Sequence, residues 1–244
     1  IFTGAAPTPS TLINWFARLG ITIQEAYAMT ENTCYSHVSF KNKIKIGSVG
    51  QALPFCEVKL SEENEILIKH NALMDGYYKD EEQTSETIKD GWLHTGDEGQ
   101  IDQEGFLTIT GRVKDIFKTS KGKYVAPSPI EMKLSTNKNI EQVCVVGNGL
   151  PQPIALITLS ERGHIKEKLD LISNLSDTLQ IVNLKLDSHE RIHRLVVLQE
   201  EWSIENSLLT PTMKIKRKSI EKKYKENYTF WYDSECKIVF NDDK

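Results

Sequence analysis

A chain of 244 residues, 39% hydrophobic and 26% charged, has apolar material for one large domain or two of ordinary size, and its formal net charge of −4 gives no general case for nucleic acid as a partner. No run of about 18 apolar residues is present, so no membrane-crossing helix is expected, and the residues after Ile1 do not read as a signal peptide. Cys34, Cys56, Cys144 and Cys236 lie far apart without a Cys-x-x-Cys pair, and read as free thiols of a reducing cytoplasm rather than zinc ligands or a disulfide framework.

Ile1-Phe2-Thr3 reads as a strand and Gly4-Ala5-Ala6-Pro7 as a turn. Thr8 can cap a helix with Pro9 in its first position. Leu12, Ile13, Phe16 and Leu19 then recur at helical spacing, Gly20 ends the helix, and Ile21-Thr22-Ile23 resumes a strand. One such βαβ unit cannot cover both faces of a parallel sheet, so residues 1–45 are expected to be the end of a larger domain.

Residues 46–112 change to short strands and turns. Glu57-Val58-Lys59-Leu60 and Glu65-Ile66-Leu67-Ile68 flank the turn Ser61-Glu62-Glu63-Asn64, and Asp80 caps a short helix through Ile88. A second hairpin joins Gly99-Gln100-Ile101 to the alternating run Phe106–Thr110 across Asp102-Gln103-Glu104-Gly105, and Gly111 ends that strand. This part reads as a small barrel-like or meandering β unit.

The domain boundary falls at Val113–Asp115, giving 1–113 and a compact α+β domain over 114–244. In the second domain a charged hairpin precedes a helix near Ser128–Ser135. Val143–Val146 and Ile154–Ile157 are strands, helices are predicted over 162–172 and 177–194, and Val196–Leu198 is another strand. Thr210-Pro211-Thr212 is a loop, followed by a last helix from Ser219 to about Tyr228.

Tyr27-Ala28-Met29-Thr30-Glu31 follows a predicted parallel strand, where open α/β sheets place ligands. An aromatic ring can stack on a base, a hydroxyl can donate to a phosphate oxygen, and a carboxylate can hold Mg²⁺ shared with phosphates. Read alone, the pentapeptide is equally a capped turn. Trp92-Leu93-His94-Thr95-Gly96-Asp97 could be a polar turn capped by Asp97, and the charges around Arg112 a solvated hairpin. Leu209-Thr210-Pro211-Thr212-Met213-Lys214 precedes a basic run to Lys225 that reads as a solvated helix face apart from Lys214.

Taken in order, these stretches, with Thr119-Ser120-Lys121-Gly122-Lys123-Tyr124-Val125-Ala126-Pro127, resemble the later part of AMP-forming long-chain acyl-CoA synthetases of the adenylate-forming superfamily. The resemblance covers nearly the whole chain. It implies the end of the large N-terminal domain, an α/β part with the small β unit, followed by a small mobile α+β lid. Two departures stand out: Ala28 where the family usually has glycine, and Met213 where glycine is common.

The family's roles carry over residue by residue. Tyr27 and the small residues Gly4, Ala5 and Ala6 would flank adenine, Thr30 would meet phosphate, and Glu31 would hold Mg²⁺. Asp97 and Arg112 would take the ribose, Lys114 would be the hinge, and Gly122 would line the thiol channel. Lys214 would reach the carboxylate and the α-phosphate during adenylation. Glu65–Ile68 and Met74-Asp75-Gly76-Tyr77-Tyr78 match the family in register, and His94 receives no catalytic role.

The implied reaction converts a long-chain fatty acid, ATP and coenzyme A to acyl-CoA, AMP and pyrophosphate. ATP/AMP, Mg²⁺ and coenzyme A are the expected small molecules, in a cytoplasmic setting that allows peripheral membrane contact. The family's Ser/Thr/Gly-rich phosphate loop is not among these residues. The sequence is therefore expected to be the C-terminal portion of a longer enzyme, inactive without its N-terminal part. A fatty acyl-AMP ligase and a truncated non-catalytic binding module are the alternatives.

Overall fold

Small residues and a helix-spaced apolar stripe build the opening βαβ unit: β1 (Phe2–Thr3), α1 (Ser10–Arg18) and β2 (Gln24–Tyr27), with β1 and β2 parallel. The computed structural model describes residues 1–241, so the last three of the range 114–244 lie outside the described residues. Thr8 is not the cap of α1. Pro9 occupies that place, and the helix starts without a side-chain cap hydrogen bond. The second strand is also later than predicted. Ile23 is buried, but the ladder forms over Gln24–Tyr27, where Gln24 N reaches Ile1 O at 2.8 Å. The shift puts Tyr27 inside the strand end rather than after it.

β3 (His37–Val38) and β4 (Gln51–Ala52) extend this sheet antiparallel beside β2. Ile13 of α1 is buried, whereas Leu12, Trp15 and Leu19 are exposed, as is Phe2 of β1.

A second sheet follows, made of β5 (Glu57–Leu60), β6 (Glu65–Lys69), β7 (Ile88–Lys89), β8 (Trp92–Ile101) and β9 (Leu107–Arg112), with α2 (Glu81–Thr87) between β6 and β7. Asp80 caps α2 as its sequence indicates, accepting from Gln83 N at 3.0 Å. All pairings in this sheet are antiparallel, and β8 is its spine: β6, β7 and β9 all pair with it. Ile66, Ile68, Leu93 and Leu107 form its core. Gly111 does not end β9; the strand runs on to Arg112. A register shift at Glu98/Gly99, a β-bulge, sets Asp97 opposite Arg112.

The chain divides into two compact units after Lys114. The second unit starts with a short hairpin of β10 (Phe117–Lys118) and β11 (Tyr124–Val125), then α3 (Pro127–Leu134). Its main sheet contains β12 (Ile140–Val146), β13 (Ile154–Leu159), β14 (Leu195–Val197) and β15 (Ile238–Phe240) in that order, with β12 antiparallel and the others parallel. Strand alternation sends Val143, Val145, Ala155 and Ile157 into one core and Cys144, Val146, Ile154 and Leu156 into another. Helices cover the two faces: α5 (Lys168–Asn183) with α3 on one, α6 (Arg217–Tyr224) and α7 (Tyr228–Asp233) on the other.

Three predicted helices differ in the structure. α4 (Glu161–His164) is one turn, and α5 continues through residues 173–176, where a break was predicted. Leu171, Leu175, Leu179 and Val182 make a continuous buried stripe, and Asn174 Oδ1 docks the helix by accepting from Asn137 and Asn139 amides at 2.8 and 2.6 Å. The helix then stops at Asn183 instead of running to 194, because the Asn183 side chain holds both backbone groups of Ile192. The predicted last helix is two helices split by a 3₁₀ turn, Lys225–Asn227, and strand β15 was not foreseen.

Candidate nucleotide site

Asp97 projects from β8 and is 7% exposed. Its Oδ2 accepts the Tyr27 hydroxyl at 2.7 Å, and its Oδ1 pairs with Arg112 Nε at 3.0 Å. Burial, then the charge of Asp97, holds the Tyr27 phenol above its usual range, so it stays a proton donor. An ionised carboxylate offers about four lone-pair directions. Tyr27 and Arg112 are among the partners it holds here.

The strand around Asp97 is clamped from outside. Glu65 Oε1 accepts Gly96 N at 2.9 Å and Glu65 Oε2 meets His94 Nδ1 at 2.8 Å. Thr95 donates its hydroxyl to Ile66 O at 2.8 Å and accepts Asp97 N at 3.1 Å. Gly96 has φ +71°, a left-handed conformation that favours glycine in this kinked strand.

Across the other sheet, a Cβ at Gly4 would lie 3.2 Å from Ala26 O, so the Gly4-Ala5-Ala6 turn lies close to the backbone beside Tyr27. Ala28 is outside the left-handed region, so its methyl adds no backbone strain where the family prefers glycine.

Thr30 and Glu31 open a 3₁₀ turn, Thr30–Asn32, fixed by Asn32 Oδ1 accepting Met29 N at 3.0 Å. The Thr30 residue is exposed. Glu31 Oε1 accepts the Tyr77 hydroxyl at 2.8 Å, and no lysine or arginine among the described residues pairs with Glu31. No group of three His, Cys, Asp or Glu among the described residues could hold a metal ion. One carboxylate without a cationic partner still fits a magnesium ion carried mainly by phosphates and water.

Lys114 is exposed on the 3₁₀ turn Val113–Asp115, at the last position of the first unit. The remaining expected residues lie in the second unit. Gly122 forms the tip of the β10–β11 hairpin with φ +77°, and a Cβ there would approach only Lys118 Cε at 3.9 Å. Its glycine is thus required by conformation.

Lys214 is exposed on a tight loop in which Thr210 N reaches Lys214 O at 2.8 Å and Lys214 N reaches Thr210 Oγ1 at 3.1 Å. Met213, just before it, has φ +61°, which explains physically why glycine suits that position.

Three residues on, Arg217 is buried. Its Nη2 donates to both Glu131 oxygens at 2.6 and 2.8 Å, its Nη1 donates to Val145 O at 2.8 Å, and its Nε lies 3.4 Å from Asp115 Oδ2. Burial pushes the Glu131 carboxyl up, with Arg217 opposing.

The structure therefore brings Tyr27, Asp97 and Arg112 into direct contact, with Gly4–Ala6 beside the same strand and Thr30 and Glu31 on the turn that follows it. Lys214 and Gly122 belong to the other unit. Sequence reasoning assigned no role to Thr95 or Arg217, and gave Glu65 and Tyr77 only register. The motifs contain Thr95, Glu65 and Tyr77, but their partners sit 29 to 46 residues away. Local pattern cannot show such pairs.

Comparison with known proteins matches residues 1–78 to the family described as AMP-binding enzyme and residues 114–235 to the AMP-binding enzyme C-terminal domain. A long-chain-fatty-acid–CoA ligase of Mycobacterium bovis is 33% identical over 250 residues, covering 96% of this chain and 42% of that protein. Long-chain-fatty-acid–CoA ligase 5 of Rattus norvegicus is 35% identical over 265 residues, covering 96% and 39%. The chain thus spans about two fifths of the length of the curated relatives it matches.

Among solved structures, the adenylation domain of a carboxylate reductase from Mycobacterium chelonae superposes with a TM-score of 0.79 at 23% identity, covering 96% of this chain and 38% of that one. An anthranilate CoA ligase in complex with anthranoyl-AMP gives 0.76 at 23% identity, covering 93% and 45%. At that identity the likeness speaks for the fold.

Proposed function

The chain belongs to the AMP-binding enzyme family, and from that premise we propose that it supplies adenylate-handling residues of a ligase joining a long-chain fatty acid to coenzyme A. The observation that carries this reading is the Tyr27–Asp97–Arg112 cluster: a buried carboxylate held by a phenol and an exposed guanidinium, next to a turn of small residues. The relatives named as long-chain-fatty-acid ligases support the acyl class.

In the proposed reaction the fatty-acid carboxylate attacks the α-phosphorus of ATP. The bond to the bridging oxygen breaks, and pyrophosphate leaves. Asp97 accepts the ribose hydroxyls, Tyr27 stacks on adenine, and Thr30 donates to a phosphate oxygen. Glu31 would be the protein ligand of Mg²⁺, which supplies neutralisation of phosphate charge. Lys214 neutralises charge on the carboxylate and α-phosphate oxygens as the bond forms. The thiol of coenzyme A then attacks the acyl carbon and AMP departs, so one difficult acyl transfer becomes two easier ones. Lys114 is the proposed pivot between the two half-reactions, and Gly122 the residue that borders the thiol arm.

The test is a split of the half-reactions in the full-length protein. Lys214→Ala should lower pyrophosphate release by about 10²–10³-fold while sparing thioester formation from synthetic acyl-adenylate. Lys216→Ala and Lys218→Ala are same-charge controls and should change neither. Equal losses in both half-reactions, or equal effects at Lys214 and Lys216, would refute the assignment.

A further inference from the structure

Glu31 is fastened by a strap formed by residues 72–77. Its backbone carbonyl accepts Met74 N at 2.8 Å, Thr33 Oγ1 donates to Ala72 O at 2.6 Å, and the Tyr77 hydroxyl donates to Glu31 Oε1 at 2.8 Å. The strap is itself held by α2: Tyr77 N donates to Thr84 Oγ1 at 2.9 Å, and the Thr84 hydroxyl donates to Asp80 O at 2.7 Å. A Cβ at Gly76 would lie 2.8 Å from Thr84 Cγ2, so strap and helix are already in close contact. Tyr77 is half-buried, with its hydroxyl aimed at Glu31.

The consequence concerns the geometry of metal binding. A carboxylate with both oxygens available can chelate a large, loosely coordinated cation such as Ca²⁺. Mg²⁺ instead takes single oxygens in a compact octahedron and keeps several waters. With Oε1 committed to a phenol, Glu31 presents one oxygen. We propose that Tyr77 is a positioning residue that fixes Glu31 as a one-oxygen ligand and so selects Mg²⁺ over Ca²⁺ at the nucleotide site. This rests on the reading of Glu31 as the metal-binding carboxylate. Among the described residues no group of three His, Cys, Asp or Glu could hold the cation without a nucleotide.

The experiment uses Mn²⁺ with ATP as the probe, followed by electron paramagnetic resonance on the full-length protein, with displacement by Mg²⁺ and by Ca²⁺ and a protein-free ATP control. Tyr77→Phe should retain a protein-bound Mn²⁺ signal and make Ca²⁺ about tenfold more effective relative to Mg²⁺, the scale of one lost hydrogen bond. Metal-free AMP binding should be unchanged. Thr84→Val, which releases the Tyr77 backbone but leaves its hydroxyl, should shift the ratio in the same direction by less, and serves if Tyr77→Phe folds poorly. An unchanged Ca²⁺/Mg²⁺ ratio in a folded variant would overturn the proposal while leaving Glu31 as ligand. Glu31→Gln separates the two ideas: it should lower the affinity for Mn²⁺ in the ATP complex, the phosphates still supplying the rest of the coordination. If Glu31→Gln leaves that affinity unchanged, or the unaltered protein shows no bound Mn²⁺ signal, the metal reading fails and the proposal with it.

Discussion

In the first unit Arg112 meets Asp97 with 64% of its own side chain exposed; in the second, Arg217 meets Glu131 with side-chain exposures of 9% and 12%. The chemistry is the same, a guanidinium on a carboxylate, but the surroundings differ. The Arg112 guanidinium has solvent to move into, although the Asp97 carboxylate it meets is buried. On the proposed reading, ribose hydroxyls replace a partner of Asp97 when they arrive. The Arg217 guanidinium touches two carboxylates and a strand carbonyl, while Glu131 also accepts Val145 N at 2.7 Å. Removing one member there strands the others. The open pair is the one we assign to ligand binding, and the closed pair ties the start of α6 to Asp115, α3 and β12.

The largest expected effect breaks the closed pair. Arg217→Met should destabilise the second unit by about 3–5 kcal/mol, because Glu131 and Asp115 lose their buried counter-ion. Arg217→Met with Glu131→Leu should recover much of that loss, since two apolar groups leave less charge unpaired there. Urea unfolding of both variants checks it. Equal stability of Arg217→Met and the unaltered chain would remove the distinction between the two pairs.

A second difference between the units appears on acidification. His37, 3% exposed beside Tyr27, has its imidazole pushed down to about 4 by burial. Its folded pKa lies below the unfolded value of about 6.5, so the stability it contributes is present above that value and lost as pH falls toward 4. The loss across that window is on the order of 3 kcal/mol. The first unit should melt progressively earlier between pH 6.5 and 4, and His37→Gln should flatten that slope. A slope unaltered by the substitution would mean that His37 is not the titrating group.

A smaller effect of opposite sign is expected at Met213. Its φ of +61° suits glycine, so Met213→Gly should stabilise the Lys214 loop by about 0.5–1 kcal/mol after allowance for the more flexible unfolded chain. Thermal unfolding of the second unit reads this, and a destabilised variant would show that the methionine side chain itself packs usefully.

How much of this was legible in the sequence differs by length scale. Local signals served well where one residue type decides the conformation: Asp80 caps α2, and Ser61-Glu62-Glu63-Asn64 joins β5 to β6. They failed where a distant partner decides. The gap left between the predicted helices 162–172 and 177–194 is where Asn174 docks α5, and Gly111, read as a strand end, sits inside β9 through a bulge. The short apolar run Ile238–Phe240 gives no cue that it completes a parallel sheet beside β14. At the site, Tyr27, Asp97 and Arg112 were named from motifs, whereas their mutual hydrogen bonds join residues up to 70 apart and required the fold. Arg217 was read only as one charge of the basic run to Lys225; its burial comes from β12 and α3, which no local pattern reports.

The central claim is that the Asp97 carboxylate of the first unit receives a ribose. Calorimetric titration of the full-length protein with AMP tests it most directly. The account predicts saturable binding that Asp97→Ala weakens by about tenfold or more, the scale of one or two hydrogen bonds to a charged acceptor, while Arg217→Lys in a folded protein leaves it unchanged. AMP binding of equal strength in Asp97→Ala and the unaltered protein would contradict it.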